Sequence, residues 1–296
     1  MNTPILFIIY NRPETTQAVF DVIKSIKPTR LFIAADGPKT EEDVLLCEQA
    51  RSIIKQIDWD TDCQTRFLEK NMGCKLGVSS AISWFFDQVE AGIILEDDCV
   101  PHPDFFGFTS QLLDYYQNDN RIMMITGTNY LKDSLKSAIP SSYFFSRYFA
   151  IWGWATWRRA WELYDISMKQ WPKLREQNQL SSFYSHQYLI DKFNHEFDLA
   201  YHDNINCWGI QWFYSCLFNH GLSVVPKVNM ISNIGVIGTH TNADTKNNYF
   251  QTFNLSTQSL HHPVQIYPEV LYEEPFYEDQ FAPKKKRFFS FKKFML

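Results

Sequence analysis

Gly92-Ile93-Ile94-Leu95 runs into Glu96-Asp97-Asp98 and then Cys99-Val100-Pro101, and the reading of this stretch decides the fold. An apolar run of that length, bounded by helix-like sequence, reads as a strand buried on both faces, as in parallel sheets. Three consecutive carboxylates at its end repel one another, and burial raises that cost unless a cation or hydrogen-bond donors compensate. In open α/β folds the carboxyl end of the sheet is also where ligands bind. Together these features point to a hard divalent metal held by oxygen ligands and shared with a phosphate-bearing substrate. The alternative is an acidic loop solvated at a strand end.

Upstream, residues 4–10 read as a first buried strand, followed by a turn at Asn11-Arg12-Pro13-Glu14-Thr15, with Thr15 or Thr16 capping a helix to about Ser25. Leu31 to Ala35 is a second short strand, closed by Asp36-Gly37-Pro38. A helix from Glu41 to Ile57, a strand over Gln64 to Leu68 and a helix from Gly77 to Val89 complete the approach to the acidic strand. Ile122 to Gly127 adds another strand. This alternation, at roughly thirty-residue spacing, implies an α/β chain with a mostly parallel, doubly wound sheet and helices on both faces. From about residue 150 the pattern predicts aromatic-rich helices at Trp154 to Tyr164, Phe183 to Phe197 and Trp212 to Phe218. Leu222 to Pro226 then reads as a late strand.

The chain has 296 residues, long enough for one large α/β domain. Its net charge of −5 disfavours bulk nucleic-acid binding. That average hides a basic tail: Lys284, Lys285, Lys286, Arg287, Lys292 and Lys293 share residues 284–296 with no acid. Phe288, Phe289, Phe291 and Phe294 lie among them, a composition that suits the surface of an anionic membrane as well as a solvated tail. Aromatics reach 17%, with nine Trp and fifteen Tyr, which fits sugar-like ligands or a bulky core. The six cysteines show no paired CxxC spacing and read as reduced thiols of a cytoplasmic protein. No basic leader precedes Ile5 to Tyr10, and no window offers about eighteen uninterrupted apolar residues. The expected location is the cytoplasm or the inner face of its membrane.

The first βα turn lacks GxGxxG, which argues against a nicotinamide or flavin enzyme. The absence of GxxxxGK[ST], HExxH, paired Cys/His clusters and GxSxG removes the common P-loop, zinc-hydrolase and serine-hydrolase readings.

The acidic triplet followed by Pro101-His102-Pro103-Asp104-Phe105-Phe106 resembles the metal-binding strand end of GT-A fold nucleotide-sugar glycosyltransferases. The likeness is to the N-acetylglucosaminyltransferase I type and its bacterial surface-polysaccharide relatives, which carry EDD as their version of the DxD motif. Further segments fall in the family's order: Ile8-Ile9-Tyr10-Asn11-Arg12-Pro13, Ala34-Ala35-Asp36-Gly37-Pro38, and Asn71-Met72-Gly73-Cys74-Lys75-Leu76-Gly77. Trp152-Gly153-Trp154 is similar to its acceptor-side segment. Trp208-Gly209-Ile210-Gln211-Trp212, Asn233-Ile234-Gly235 and Gly238-Thr239-His240-Thr241 are similar to the C-terminal half of the bacterial relatives. The resemblance covers residues 4 to about 241. It implies a single catalytic domain over 1–283, with a nucleotide-binding half at 1–130, an acceptor-side half at 131–283, and the tail beyond.

The resemblance also implies a division of labour. Asp98 is the main ligand of Mn²⁺ or Mg²⁺, Glu96 faces the ribose or a metal-bound water, and Asp97 sits close to both. In strand geometry 96 and 98 share one side and 97 the other. The metal neutralises charge on the departing nucleoside diphosphate. Tyr10, Asn11 and Arg12 form the nucleotide-contacting turn, although Arg12 also reads as an ordinary surface arginine. Asp36 reads the base or simply builds its turn with Gly37. Lys75 approaches the diphosphate or stays solvated, and His240 is a metal or diphosphate ligand or a structural histidine. Trp152, Trp154, Trp208 and Trp212 stack on acceptor sugars or fill the core. An inverting transferase needs a carboxylate to take the acceptor's proton. Relatives often carry that acid directly after the first Trp of Trp-x-x-Gln-Trp, where this chain has Gly209. Asp203 is the candidate, with Asp97 as the substitute. The expected activity is transfer of a sugar from a nucleotide donor, UDP-linked by family default, to a glycan or lipid-linked acceptor. A sugar nucleotidyltransferase and a non-catalytic carbohydrate-binding protein are the competing readings.

Overall fold

The structure, a computed structural model, describes residues 1–235 and 251–283. Its strands are β1 (Ile5–Ile9), β2 (Arg30–Ala35), β3 (Asp62–Phe67), β4 (Ala91–Glu96), β5 (Cys99–Pro101), β6 (Ile122–Thr126), β7 (Tyr143–Ser146), β8 (Trp154–Trp157), β9 (Leu222–Pro226) and β10 (Ile231–Asn233). Its helices are α1 (Pro13–Ile26), α2 (Glu41–Arg51), α3 (Gly73–Phe86), α4 (Asp104–Tyr115), α5 (Asp133–Lys136), α6 (Arg158–Trp161), α7 (Trp171–Glu176), α8 (Gln187–Tyr201), α9 (Gly209–Phe218) and α10 (Val270–Phe281).

Eight strands form one sheet in the order β3-β2-β1-β4-β8-β6-β9-β7, and β5 pairs with β10 in a second, two-stranded sheet. The pairs from β3 to β4 are parallel, as are β6 and β9, while β8 and β7 run against their neighbours. Strands from both sides of residue 130 therefore share one sheet. The apolar runs are continuous because both faces are covered. Along β1, Ile5, Phe7 and Ile9 join the core under α1 and α4, and Leu6 and Ile8 join the core under α3 and α9. Strands β2 and β4 alternate in the same way. This is the α/β, mostly parallel, doubly wound class with helices on both faces that the sequence implied.

Several boundaries differ from expectation. Helix α1 begins at Pro13, one residue after Arg12, and Thr15 and Thr16 turn their hydroxyls back to the Arg12 carbonyl instead of capping. The expected Glu41–Ile57 helix gives way to a 3₁₀ turn at Ser52–Gln56. Helix α3 starts a turn early, at Gly73. The larger correction is at Trp154 to Tyr164, expected as helix: Trp154–Trp157 is a central antiparallel strand wedged between β4 and β6. Trp154 faces one core and Ala155 and Trp157 the other, so alternation across a sheet governs this segment. Among the described residues, no helix is long and apolar enough to cross a membrane.

Candidate active site

Strand order reverses between β1 and β4: β2 and β3 lie beyond β1, and the later strands lie beyond β4. The crevice at the carboxyl ends of two such strands is where open α/β sheets place ligands. Tyr10-Asn11-Arg12 follows β1 and Glu96-Asp97-Asp98 ends β4, so the two segments meet there, with Ile8 opposite Glu96 in the ladder.

Strand geometry stops at Glu96, because Asp97 and Asp98 form a tight turn into β5. The expected sharing of one side by 96 and 98 is therefore corrected. Both aspartates instead converge on Arg12: its Nη1 donates to Asp98 Oδ2 at 2.9 Å, and its Nη2 donates to Asp97 Oδ1. The Tyr10 amide donates to the other Asp97 oxygen at 3.3 Å. Arg12 itself is pinned at its carbonyl by the Thr16 amide and both threonine hydroxyls. Glu96, two residues beyond Ile94, looks toward Cys74 and Cys207 on the α3 and α9 side, where no donor among the described residues reaches it.

The electrostatics follow from this geometry. Burial, reinforced by Asp98 and Asp97 and only partly offset by Arg12, pushes the Glu96 carboxyl up to about 8. Burial also pushes Asp97 up to about 6, with Arg12 opposing it. Burial favours neutral Arg12, but the charges of Asp97 and Asp98 outweigh it and raise the guanidinium further. Among the described residues one guanidinium faces Asp97 and Asp98, with Glu96 beside them, so this set of side chains lacks positive charge.

The second sheet closes over this turn. The Ile234 amide donates to the Asp98 carbonyl at 2.8 Å, continuing the β5–β10 ladder. Asn233-Ile234-Gly235 thus lies against the acids 135 residues earlier in the sequence, with Gly235 buried on Asp98 and Arg12.

The remaining expected residues divide sharply. Tyr10 and Asn11 turn away from the acids toward Asp43, at 3.0 Å and 2.7 Å. Burial, then the hydrogen bond to Asp43, pushes the Tyr10 phenol up to about 12. Asp43 was missed, although Thr40-x-x-Asp43 is a readable capping box and caps α2 here. Asp36 accepts from its neighbour Gly37 and from the Met72 and Gly73 amides at 2.8 Å and 2.9 Å, so its carboxylate serves as the anion at the start of α3. Lys75 pairs with Asp203 at 2.5 Å, and its amide donates to Asn206, another residue the sequence reading passed over. Asp203 is largely exposed and has a left-handed φ of 55°. Gly209, where the resemblance implied an acid, is packed so that a Cβ would stand 2.6 Å from Ile151 Cδ1.

Of the two readings of the tryptophans, stacking on a sugar or filling the core, the structure gives core packing for three. Trp154, Trp208 and Trp212 are 0–1% exposed and pack on one another with centroids of 5.6 Å from Trp154 to each of the other two. Trp152 alone is half-buried, edge-on to half-buried Tyr130 at 5.6 Å. His240 and the tail 284–296 lie outside the described residues.

No protein-family model matches the chain, and no curated protein matches it. Among solved structures it is similar to S. aureus TarS 1–349, at 10% identity and a TM-score of 0.35, covering 55% of this chain and 49% of that one. It is also similar to HddC from Yersinia pseudotuberculosis, at 8% identity and a TM-score of 0.34, covering 53% and 77%. For 4-diphosphocytidyl-2C-methyl-D-erythritolsynthase from Anaerococcus prevotii DSM 20548 the values are 11%, 0.34, 74% and 97%. The chain thus spans about half the length of the TarS fragment. Likeness this loose carries no functional argument, which has to come from the site.

Proposed function

We propose that this chain is a metal-dependent glycosyltransferase that moves a sugar from a nucleoside-diphosphate donor, UDP-linked by family default, to a glycan or lipid-linked acceptor. The observation that carries the reading is the placement of Glu96-Asp97-Asp98 and Arg12 on the two sides of the strand-order reversal. There, a diphosphate would find a guanidinium, and a divalent cation would find unbalanced carboxylates.

The residues fit the metal when it arrives with its nucleotide. Among the described residues, no group of three His, Cys, Asp or Glu is assembled to hold an ion by itself. Asp98 is the more exposed of the two paired aspartates, and among the described residues its Oδ1 is engaged by the Cys99 thiol alone, at 3.3 Å. Asp98 would hold the ion, with Glu96 nearby to balance charge, and phosphate oxygens and water would fill the remaining positions. Mn²⁺ and Mg²⁺ suit such an oxygen set. The bound ion would supply charge neutralisation on the leaving diphosphate.

In this reading Asp203 takes the acceptor's proton, since one of its carboxylate oxygens is not used by Lys75. Trp152, the half-buried one of the four tryptophans, would contact the acceptor sugar. Calorimetry with UDP, GDP and CMP, each with and without Mn²⁺, tests the proposal and identifies the base. Binding of UDP that strengthens with Mn²⁺ supports it, and no heat with any nucleotide refutes it. For the tail, co-sedimentation with anionic liposomes should be lost on deleting 284–296; equal sedimentation of both forms would exclude a membrane role for it.

A further inference from the structure

Among the described residues, Asp97 and Asp98 draw ion pairs from Arg12 and from no other cation. The two terminal nitrogens of one guanidinium are thus spent on two different carboxylates. That is the fork geometry by which arginine binds phosphate bidentately, so the same donors cannot serve both partners at once. Asp98 gives its Oδ2 to Arg12 and its Oδ1 to the Cys99 thiol, so a metal bound through this carboxylate would draw on the same negative charge as the guanidinium.

We propose that Arg12 is an exchangeable counter-ion: it neutralises Asp97 and Asp98 in the free protein and passes to the diphosphate when metal and nucleotide enter together. The inference rests on the functional reading above and adds a thermodynamic consequence to it. Metal alone must compete with Arg12 for Asp98, and nucleotide alone must pull Arg12 from both aspartates. Arriving together, they exchange partners and leave no charge stranded. Binding of the two is therefore coupled, and linkage makes the coupling reciprocal.

The local structure permits the movement. The Arg12 backbone is fixed by three hydrogen bonds to its carbonyl, so only the side chain has to swing. That side chain is 32% exposed, whereas Asp97 is almost fully enclosed. Its Nε has no partner among the described residues, so exchange breaks only the two carboxylate contacts.

The test is Mn²⁺ titration followed by the electron paramagnetic resonance signal of the free aqueous ion, with and without UDP, on the full chain and on Arg12→Gln and Arg12→Lys. In the wild type, UDP should tighten Mn²⁺ binding at least about tenfold, within the usual range of coupling between ligands. Arg12→Gln should bind Mn²⁺ alone more tightly than wild type, bind UDP more weakly, and lose most of the coupling. Arg12→Lys, which keeps the charge without the fork, should fall between them and serves as the test if the glutamine variant does not fold. Unchanged Mn²⁺ affinity without nucleotide, or wild-type coupling, in the folded variant would overturn the exchange. A wild type that binds no nucleotide at all would instead overturn the functional reading, so the two failures are distinct.

Discussion

Gly235 lies so close to Asp98 that a methyl group on its Cα would collide with Asp98 Oδ2 and stand 3.1 Å from Arg12 Nη1. A backbone segment from the end of the described N-terminal region thus forms one wall of the acidic site. Its tightness makes a clean test, because Gly235 does not have a left-handed φ and alanine there brings no backbone strain. Gly235→Ala should therefore act sterically, displacing the Asp98 carboxylate that would hold the ion. The expected result is a loss of about tenfold or more in Mn²⁺–UDP affinity by calorimetry, equivalent to about 1.4 kcal/mol. The thermal midpoint should stay within a few degrees. Wild-type affinity in this variant would show that residues 233–235 are not part of the site.

The tryptophans should separate into two kinds. Trp154 lies at 0% exposure between Trp208 and Trp212, so Trp154→Ala leaves a cavity and should cost about 3–5 kcal/mol in denaturant unfolding. Trp152 is half-buried beside Tyr130, and its replacement by alanine should cost far less stability while weakening acceptor binding. Equal destabilisation by the two substitutions would remove Trp152 from the proposed acceptor surface.

How much of this was readable follows from how far each determinant reaches along the chain. Strand β4 and its acids were legible because burial on both faces writes itself as an unbroken apolar run. Strand β8 was not: Trp154, Trp157 and Trp161 recur at helical spacing, and only pairing with β4 and β6 turns them into a strand and the helix after it. The acidic turn was located, but its partner was not, since Arg12 and Asp98 are 86 residues apart and no local period reports such a pairing. The tryptophans stayed open between sugar stacking and core packing for a related reason. Aromatic type alone does not say whether a ring has neighbours on both faces.

Glu273 holds α10 to the sheet edge. It accepts from the Ser146 hydroxyl at 3.0 Å, from the Arg147 amide, and from Arg147 Nε and Nη2 at 3.1 Å and 2.6 Å. Removing one member of a buried pair costs about 3–5 kcal/mol, because the other charge is stranded. Arg147 keeps 24% of its side chain in solvent, so Glu273→Ala should fall at the low end of that range. Hydrogen exchange should accelerate first over 270–281, the helix that loses its anchor. Uniform acceleration across the sheet would mean that α10 is not a separately opening unit.

Asp203→Asn isolates the chemistry of the proposed proton acceptor. The residue has φ 55°, a left-handed conformation that asparagine tolerates as well as aspartate, so the loop should keep its shape. Its ion pair with Lys75 is made by a carboxylate whose side chain is 75% exposed, and pairs of that kind contribute little to stability. The folding midpoint and the Mn²⁺–UDP affinity should therefore be preserved. What should fall is kcat, by a factor of about 10²–10⁴, the usual contribution of a positioned general base. Lys75→Ala supplies the control: if Asp203 acts only by holding Lys75, the two variants should share one phenotype, with nucleotide affinity reduced in both. If Asp203 takes the proton, only Asp203→Asn should lose turnover at saturating donor. Unchanged turnover in Asp203→Asn would dismiss the residue and leave Asp97, already paired with Arg12, as the remaining carboxylate to test.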